Sequence, residues 1–258
     1  MCYDISFKVN IAELADYFPD TLWDQQIGIN FDASLHIMAH GYPLHPILYR
    51  NREDKRVHGR LMEWGVIPFY VKDERLFAKQ RTSMLNARSE RILKDPKSYW
   101  FKIRHRRCLI PVTGFFEHRE VAGFRNKIPY FIQLKEQPVF FIPGLYSVTE
   151  LPDLSTGEIQ ARWTFTLVTR EANQLMREIH NSGTHSGRMP LLLTLAFSKK
   201  WLDEDLDTES YQQLLDYSMP PEALRYRTVW SIRTNKNRPD GLDKTALYSW
   251  KGLPELVV

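Results

Sequence analysis

The sequence predicts an α+β fold in which a strongly curved, barrel-like and mostly antiparallel β-sheet is flanked by helices. Three observations support this prediction. Short segments rich in aromatic and β-branched residues are grouped in the middle of the chain, segments with helical spacing stand on both sides, and turn-forming residues separate the strands. The 258 residues contain no internal repeat or Gly/Ser-rich linker, so one compact domain over residues 1–258 is expected.

The predicted elements follow in chain order. An early amphipathic helix over NIAELADYFPD would place Ile11, Leu14, Ala15 and Phe18 on one face. The strand-like segments come next, namely RCLIPVTGFFEH, IPYFIQL, VFFIPGLYSV and RWTFTLVT. REANQLMREIHN predicts a helix with Thr169 as its N-cap, SKKWLDEDLDTESYQQLLDY predicts a second helix, and YRTVWSI predicts a last strand.

Composition excludes several classes of protein. The net charge is only +4, so a surface for nucleic acid would have to be a local patch. Two cysteines far apart in the sequence, Cys2 and Cys108, make no disulfide framework and favour a reducing compartment. No apolar run is long enough for a signal peptide or a membrane span. A cytoplasmic location is therefore expected.

Cys2 follows the initiator methionine directly. Removal of Met1 would give an N-terminal cysteine, which carries a free α-amine and a thiol on adjacent carbons. Such a 1,2-aminothiol is chemically unlike any internal side chain. A single residue is a weak motif, so position alone leaves an incidental cysteine as the alternative.

Two further segments carry residues that could serve chemistry. In RRCLIPVTGFFEH, Cys108 lies among apolar residues and is expected to be a buried, inert thiol, whereas Glu117 is either a solvated strand end or a carboxylate with a raised pKa in a pocket. In IHNSGTHSGRMP, His180 ends a predicted helix and His185 lies in a Gly/Ser-rich loop. Arg188 is either a phosphate ligand or a surface charge.

A nucleic-acid surface could be built from WGVIP and NARSE. Trp64 and Pro68 in the first segment, and Asn86 and Arg88 in the second, combine stacking surfaces with a cation, although a core role is the default for a tryptophan. The basic stretches KIRHRR and RTNKNRPDG could line the same surface or be solvated. HIMAHGYPLH lacks the spacing of a metal site, and no metal is expected.

Taken together, these segments resemble the SOS-response-associated peptidase (SRAP) family of abasic-site-processing proteins. The resemblance spans nearly the whole chain and rests on the ordered set MC, WGVIP, NARSE, RRCLIPVTGFFEH, PY, GLY, TFTLVT, AN and IHN…RMP. It implies a mature N-terminal cysteine that forms a covalent thiazolidine with the ring-opened aldehyde of an abasic site in single-stranded DNA. Such a crosslink would shield the site from strand cleavage during the DNA damage response.

The chemistry of an N-terminal cysteine agrees with this implication. An α-amine has a pKa of about 7.7–8.0 against about 10.4 for lysine, so far more of it is a free base at neutral pH. The amine would condense with the aldehyde as a Schiff base, and the neighbouring thiol would close a five-membered ring intramolecularly. A lysine could form the imine but could not close that ring.

The resemblance also implies a role for each site residue. Cys2 would be the nucleophile, Glu117 would move protons, His180 would help to open the sugar ring, and Asn86 would position the lesion. Thiol-type autopeptidase or hydrolase activity and a lyase activity would accompany the crosslinking.

DNA contacts would come from a further set of residues. These are the phosphate-binding Arg88 and Arg188, and Trp64 with Pro68 against bases or a duplex end. A monomer without metal or organic cofactor is implied, located in the cytoplasm and on the nucleoid when it is bound to damaged DNA.

Two departures from the family pattern stand out. Many members continue MC with Gly-Arg, whereas this chain has Tyr3 and Asp4, so a phosphate-binding arginine is missing and a carboxylate replaces it. The segment NSGTHSG also separates His180 from Arg188, which makes His185 an alternative catalytic histidine. His180 is preferred, because a rigid helix end positions a ring better than a flexible loop.

Two other classes of function fit parts of the sequence. An N-terminal-nucleophile cysteine hydrolase or amidotransferase would also use Cys2, but it needs an oxyanion hole for which no matching loop is evident. A non-covalent binder of single-stranded DNA would leave Cys2 incidental and would show salt-sensitive binding.

Overall fold

The longest strands of the chain form a hairpin that organises the fold. In the computed structural model, which describes residues 2–24, 27, 33–153, 155–234 and 238–256, β10 (Phe140–Pro152) and β11 (Ile159–Glu171) pair antiparallel from Gly144 opposite Leu167 to Pro152 opposite Ile159. Their middle segments are almost continuously buried, as expected for strands that are covered on both faces.

A closed barrel grows from this hairpin. In the described part of the chain it has five strands, which pair in the order β11, β10, β7 (Arg107–Val112), β4 (Leu44–Arg50) and β5 (Val57–Trp64). A parallel pairing of β11 with β5 closes it, with Thr164 opposite Glu63 and Phe165 opposite Trp64. Closure leaves no free edge along these strands and encloses a core of large apolar side chains.

A second, antiparallel sheet packs beside the barrel. Its order is β13 (Leu224–Thr228), β9 (Ile128–Leu134), β8 (Gly114–Arg119), β1 (Asp4–Phe7) and β3 (Ser34–Met38). Three short strands extend the barrel sheet, namely β2 (Leu22–Trp23), β6 (Asn86–Arg88) and β12 (Arg188–Pro190). The predicted α+β class with a barrel-like, mostly antiparallel sheet is therefore confirmed.

The predicted strand RCLIPVTGFFEH is two strands, because the chain passes from the barrel into the second sheet at Thr113. The Thr113 amide donates to the carbonyl of Ser6 on β1 at 2.7 Å, which directs the next residues into that sheet. Gly114 follows, and a Cβ there would lie 2.2 Å from Cζ of Phe131, so only glycine fits. This crossing carries Glu117 away from the barrel and towards β1.

The helices are short. They are α1 (Glu74–Arg81), α2 (Glu90–Leu93), α3 (Tyr99–Lys102), α4 (Gln174–Ile179), α5 (Leu195–Trp201) and α6 (Thr208–Asp216), with 3₁₀ turns at Ile11–Asp16, Ala39–Gly41, Thr82–Met84 and Pro221–Ala223. None of the described helices is long and apolar enough to cross a membrane.

Three helix predictions need correction. The early helix is the 3₁₀ segment Ile11–Asp16, whose tighter repeat buries Leu14 but leaves Ala15 exposed. The helix before His180 is capped by Asn173 rather than by Thr169, which lies in β11. The predicted helix SKKWLDEDLDTESYQQLLDY is two helices, because Asp207 caps a new one by accepting from the amide of Ser210.

Candidate active site

A cleft of about 300 Å³ opens where β1, β8 and the segment after α4 meet. It contains two carboxyl groups, three imidazoles and two basic side chains. Its lining residues are Tyr3, Asp4, Glu117, His118, Lys127, His180, Ser182, Gly183, Thr184, His185 and Arg233. Among the described residues, no group of three or more His, Cys, Asp and Glu side chains is arranged to hold a metal ion.

Glu117 is buried at this cleft because of strand alternation. It shares a face of β8 with Phe115, which belongs to the main hydrophobic core. Glu117 is only 5% exposed, and within the described part of the chain its Oε1 has no hydrogen-bond partner. Burial raises the pKa of Glu117 to about 8. The pocket alternative is therefore the one observed, with a carboxyl that holds its proton at neutral pH.

His180 is held at the end of α4. Its Nδ1 lies 2.9 Å from the carbonyl oxygen of Arg188, and since a carbonyl only accepts, Nδ1 carries the proton of the neutral ring. Burial lowers the pKa of His180 to about 4. The Nε2 atom lies 3.9 Å from Oε2 of Glu117. The two side chains thus face each other, one as a protonated acid and the other as a neutral base.

The inserted segment between His180 and Arg188 does not separate them in space. The amide of Gly187 donates to the carbonyl of His180 at 3.0 Å, and this hydrogen bond joins the two ends of the inserted segment into a closed loop. His185 lies within the closed loop and lines the same cleft. The structure therefore brings both histidines to the cleft, but only His180 makes the described contact with Glu117.

Cys2 lies next to the cleft wall formed by Tyr3 and Asp4. In the chain that still carries Met1, Cys2 is fully buried, and its thiol lies 3.6 Å from the carbonyl oxygen of Asp4. Burial, followed by the charges of Glu117 and Asp4, raises the pKa of the thiol well above its ordinary value. The thiol is therefore protonated, which suits a reaction that begins at an amine rather than at a thiolate. Met1 lies outside the described residues.

Asp4 is buried, and cationic and imidazole groups surround it. His36 Nε2 lies 2.8 Å from its Oδ1, and Arg233 binds both carboxylate oxygens, with Nε 3.2 Å from Oδ1 and Nη2 on Oδ2. Burial alone would raise the pKa of Asp4, but the hydrogen bonds from His36 and Arg233 outweigh it and hold the pKa below its usual range. Asp4 is thus an anion whose charge is matched locally.

Asn86 and Arg88 share one face of β6. Asn86 is only 5% exposed, yet in the part of the chain that the structure describes neither atom of its side-chain amide has a partner. Arg88 is exposed and, with Arg188, contributes to lowering the pKa of His185 beyond the larger effect of burial. Neither Asn86 nor Arg88 is among the residues that line the cleft, although the charge of Arg88 acts on His185.

Arg188 already has a carboxylate partner. Its guanidinium binds both oxygens of Glu90, at 2.6 and 3.1 Å, and also donates to the carbonyl of Thr169 at 2.7 Å. A phosphate would have to compete with Glu90 for this arginine. In the structure, the contact of Arg188 with the site is its backbone carbonyl, which fixes the ring of His180.

The prediction that Trp64 and Pro68 contact bases is wrong for the structure as it stands. Trp64 is fully buried, stacks on Phe165 inside the barrel and donates its indole N–H to the carbonyl of Leu85 at 2.9 Å. Pro68 is buried as well. The next two residues, Phe69 and Tyr70, are 48% and 55% exposed and pack around the ring of Tyr99. The aromatic surface therefore lies one or two residues further along.

Several cleft residues have weak signals in the sequence. Asp4 stands where many family members have an arginine, and its pairing with Arg233 joins residues near opposite ends of the chain. Arg233 belongs to the basic stretch RTNKNRPDG, of which residues 235–237 lie outside the described residues. Cys108 is fully buried on β7, as predicted for an inert thiol.

Comparison with known proteins shows the family to which this barrel and its cleft belong. A family model described as SOS response associated peptidase (SRAP) matches residues 1–235, and the chain belongs to this family. It is 32% identical over 177 residues to the abasic site processing protein YoqW of Bacillus subtilis, covering 68% of this chain and 71% of the relative. It is 33% identical over 154 residues to YoaM of the same organism, also named an abasic site processing protein, covering 60% of each chain.

A solved structure shows the same fold. A crystal structure of a protein from Bacteroides thetaiotaomicron matches with a TM-score of 0.75 at 30% identity, covering 88% of this chain and 92% of that one.

Proposed function

We propose that this chain, after loss of Met1, processes abasic sites by forming a thiazolidine between Cys2 and the ring-opened aldehyde of the site in single-stranded DNA. The observation that carries the proposal is the cleft beside Cys2, in which Glu117 and His180 face each other at 3.9 Å. The names of the relatives YoqW and YoaM support abasic sites as the substrate class.

The first step opens the sugar. A separation of 3.9 Å is too long for a direct hydrogen bond, and a substrate oxygen to one side of it can contact both groups. His180 takes the proton of the anomeric hydroxyl, and the protonated Glu117 gives its proton to the ring oxygen. The bond between the anomeric carbon and the ring oxygen breaks, which leaves an aldehyde and a hydroxyl.

The second step joins the protein to the DNA. The α-amine of Cys2 adds to the aldehyde carbon, and one amine proton passes to the oxygen, which gives a carbinolamine. The imidazolium of His180 then donates its proton to the departing hydroxyl, which leaves as water, while the Glu117 carboxylate takes the proton of the nitrogen. This gives an imine and restores both side chains to their starting forms. The thiol then adds to the imine carbon while its proton passes to the nitrogen. The thiol supplies both the sulfur that closes the ring and the proton that the nitrogen takes up.

The DNA strand would lie along the exposed side of the cleft. Asn86 would hydrogen bond to the sugar or its phosphate, since both of its amide atoms are buried without a described partner. Arg88 would contact a phosphate, and Phe69 and Tyr70 would stack on bases. None of these contacts reads a base edge, so we expect no sequence specificity.

The test begins with intact-mass measurement to establish that Met1 is absent. The protein is then incubated with a single-stranded oligonucleotide whose uracil has been excised by a glycosylase, boiled in detergent and separated by electrophoresis. We expect a slow band that needs the abasic site. It should disappear in Cys2→Ala and persist in the matched control Cys108→Ala, which removes the other free thiol.

Absence of the band from protein without Met1 would contradict the proposal. Salt-sensitive binding without a band would favour a non-covalent binder of single-stranded DNA. A band that persists in Cys2→Ala would assign the crosslink to another nucleophile.

A further inference from the structure

Arg233 lines the cleft together with its partner Asp4, which is 229 residues away in the sequence. Asp4 binds the Nε and Nη2 edge of the guanidinium and is itself buried, whereas the Arg233 side chain remains 45% exposed. No described residue accepts a hydrogen bond from Nη1 of Arg233. One edge of the planar group is therefore fixed, and the other is available at the cleft.

A second cation lines the cleft but is less well held. Nζ of Lys127 lies 3.7 Å from Glu120, outside hydrogen-bond distance, and its side chain is 42% exposed. A lysine at such a position is a mobile point charge, whereas a guanidinium fixed on one edge is oriented before a ligand arrives. Of the two, Arg233 has the geometry to bind one oxyanion at a defined place.

The cleft needs such a cation when DNA binds. A DNA strand brings a phosphate on each side of the abasic sugar, and the cleft already contains the carboxylate of Asp4. The contact with Asp4 keeps the guanidinium of Arg233 in place. An arginine shared between a buried carboxylate and a phosphate uses separate donors for each acceptor.

We propose that Arg233 is a positioning residue that binds the phosphate next to the abasic sugar, with Asp4 holding its guanidinium. This inference rests on the proposed function for its substrate. It also gives a physical role to the Tyr3-Asp4 departure, because the acid at position 4 places a cation from the other end of the chain beside Cys2.

Binding to an unreactive analogue tests this separately from the chemistry. The probe is a fluorescent single-stranded oligonucleotide with one tetrahydrofuran site, which has no aldehyde. A second probe carries neutral methylphosphonates on both sides of that site, and a third carries them far from it. We expect Arg233→Ala to weaken binding of the first and third probes about tenfold, as for the loss of one charge-assisted hydrogen bond. Binding of the second probe should change less than about twofold.

Two variants control for structure. Arg225→Ala removes an exposed arginine of β13 whose described partner is Gln133, and it should bind all three probes like the parent protein. Arg233→Lys keeps the positive charge but lacks the planar guanidinium that can bind two acceptors at once, and it should recover part of the affinity. Thermal unfolding of each variant shows whether the fold is kept.

Equal affinity of Arg233→Ala and the parent protein for the first probe would overturn the inference. So would an equal loss for the first and second probes, because Arg233 would then act on structure rather than on that phosphate. A parent protein that shows the probe pattern but forms no crosslink with a true abasic site would contradict the proposed function and leave the role of Arg233 in place.

Discussion

Glu117 Oε2 lies 3.9 Å from Nε2 of His180, and the fold rather than a direct hydrogen bond sets this separation. The carboxylate comes from the middle of the second sheet, and the ring is fixed through Nδ1 on the carbonyl of Arg188. Burial favours the neutral form of both groups, which raises the pKa of the carboxyl and lowers that of the ring. An acid and a base can therefore face each other at neutral pH without forming an ion pair.

The pH profile of crosslinking should reflect Glu117. Its proton is present below a pKa of about 8 and is lost above it, so the rate should fall as the pH rises past that value. The α-amine must be unprotonated, which favours the opposite direction, with a pKa of about 7.7–8.0. A bell-shaped dependence of the single-turnover rate on pH is expected. Glu117→Gln should be about a hundredfold slower and lack the alkaline limb.

The same carboxyl should cost stability at high pH. In the unfolded chain Glu117 ionises near its ordinary pKa of 4.5, whereas in the folded chain it keeps its proton up to about 8. The contribution of the protonated Glu117 carboxyl to the free energy of unfolding is therefore fully present below pH 4.5 and is lost as the pH rises towards 8. Glu117→Gln should have the melting temperature of the parent protein at pH 4.5 and a higher one at pH 8.5. If the difference in melting temperature between Glu117→Gln and the parent protein is the same at pH 4.5 and at pH 8.5, the pKa of Glu117 is not raised.

Substitution of His180 should slow crosslinking much more than substitution of His185. His180→Ala removes the ring that faces Glu117, and we expect the crosslinking rate to fall about a hundredfold. His185→Ala alters the inserted loop and should change the rate less than about threefold, within the range of surface substitutions. Single-turnover rates on one abasic oligonucleotide measure both. A larger loss in His185→Ala would reverse the assignment.

Replacement of Asn86 should lower the crosslinking activity without lowering the stability of the fold. Its buried amide has no described partner, which is a cost to the fold. Asn86→Leu, of similar shape, should therefore melt at the same temperature as the parent protein or higher, while crosslinking slows about tenfold because the lesion loses a hydrogen bond. A lower melting temperature in this variant would show that the amide has a structural partner instead.

Phe69 and Tyr70, which follow WGVIP, should matter for DNA binding, whereas Trp64 within that segment should matter for stability. Phe69→Ala and Tyr70→Ala should each weaken binding of single-stranded DNA by about 1–3 kcal/mol, the usual value of one stacked base, and leave stability nearly unchanged. Trp64→Ala should lower the free energy of unfolding by about 3–5 kcal/mol, because it leaves a cavity in the barrel. Fluorescence anisotropy and denaturant unfolding distinguish the two effects.

The chemistry of the cleft was more predictable than its surroundings. Glu117 follows two phenylalanines in a strand, so a buried carboxylate was one of two alternatives, and only the neighbouring strands β1 and β9 decide between them. His180 could be preferred over His185 from its helix end, but the bond that closes the inserted loop at Gly187 is a feature of the fold.

One error and one missed contact have the same physical origin. WGVIP and NARSE together supply an aromatic, an asparagine and an arginine, but local sequence does not say which side chain faces the barrel, and Trp64 faces inwards. The contact between Asp4 and Arg233 spans the whole chain and has no local signal. Side-chain direction and long-range pairing depend on tertiary structure, which patterns of neighbouring residues do not encode.

The most direct test of the central claim is to locate the crosslink on the protein. The product formed with an abasic oligonucleotide is digested with nuclease and protease, and the modified peptide is sequenced by mass spectrometry. The account predicts an adduct on a peptide that begins at Cys2, with the mass of the ring-opened sugar fragment less one water. An adduct on a lysine, on Cys108 or on a peptide that still begins with Met1 would contradict it.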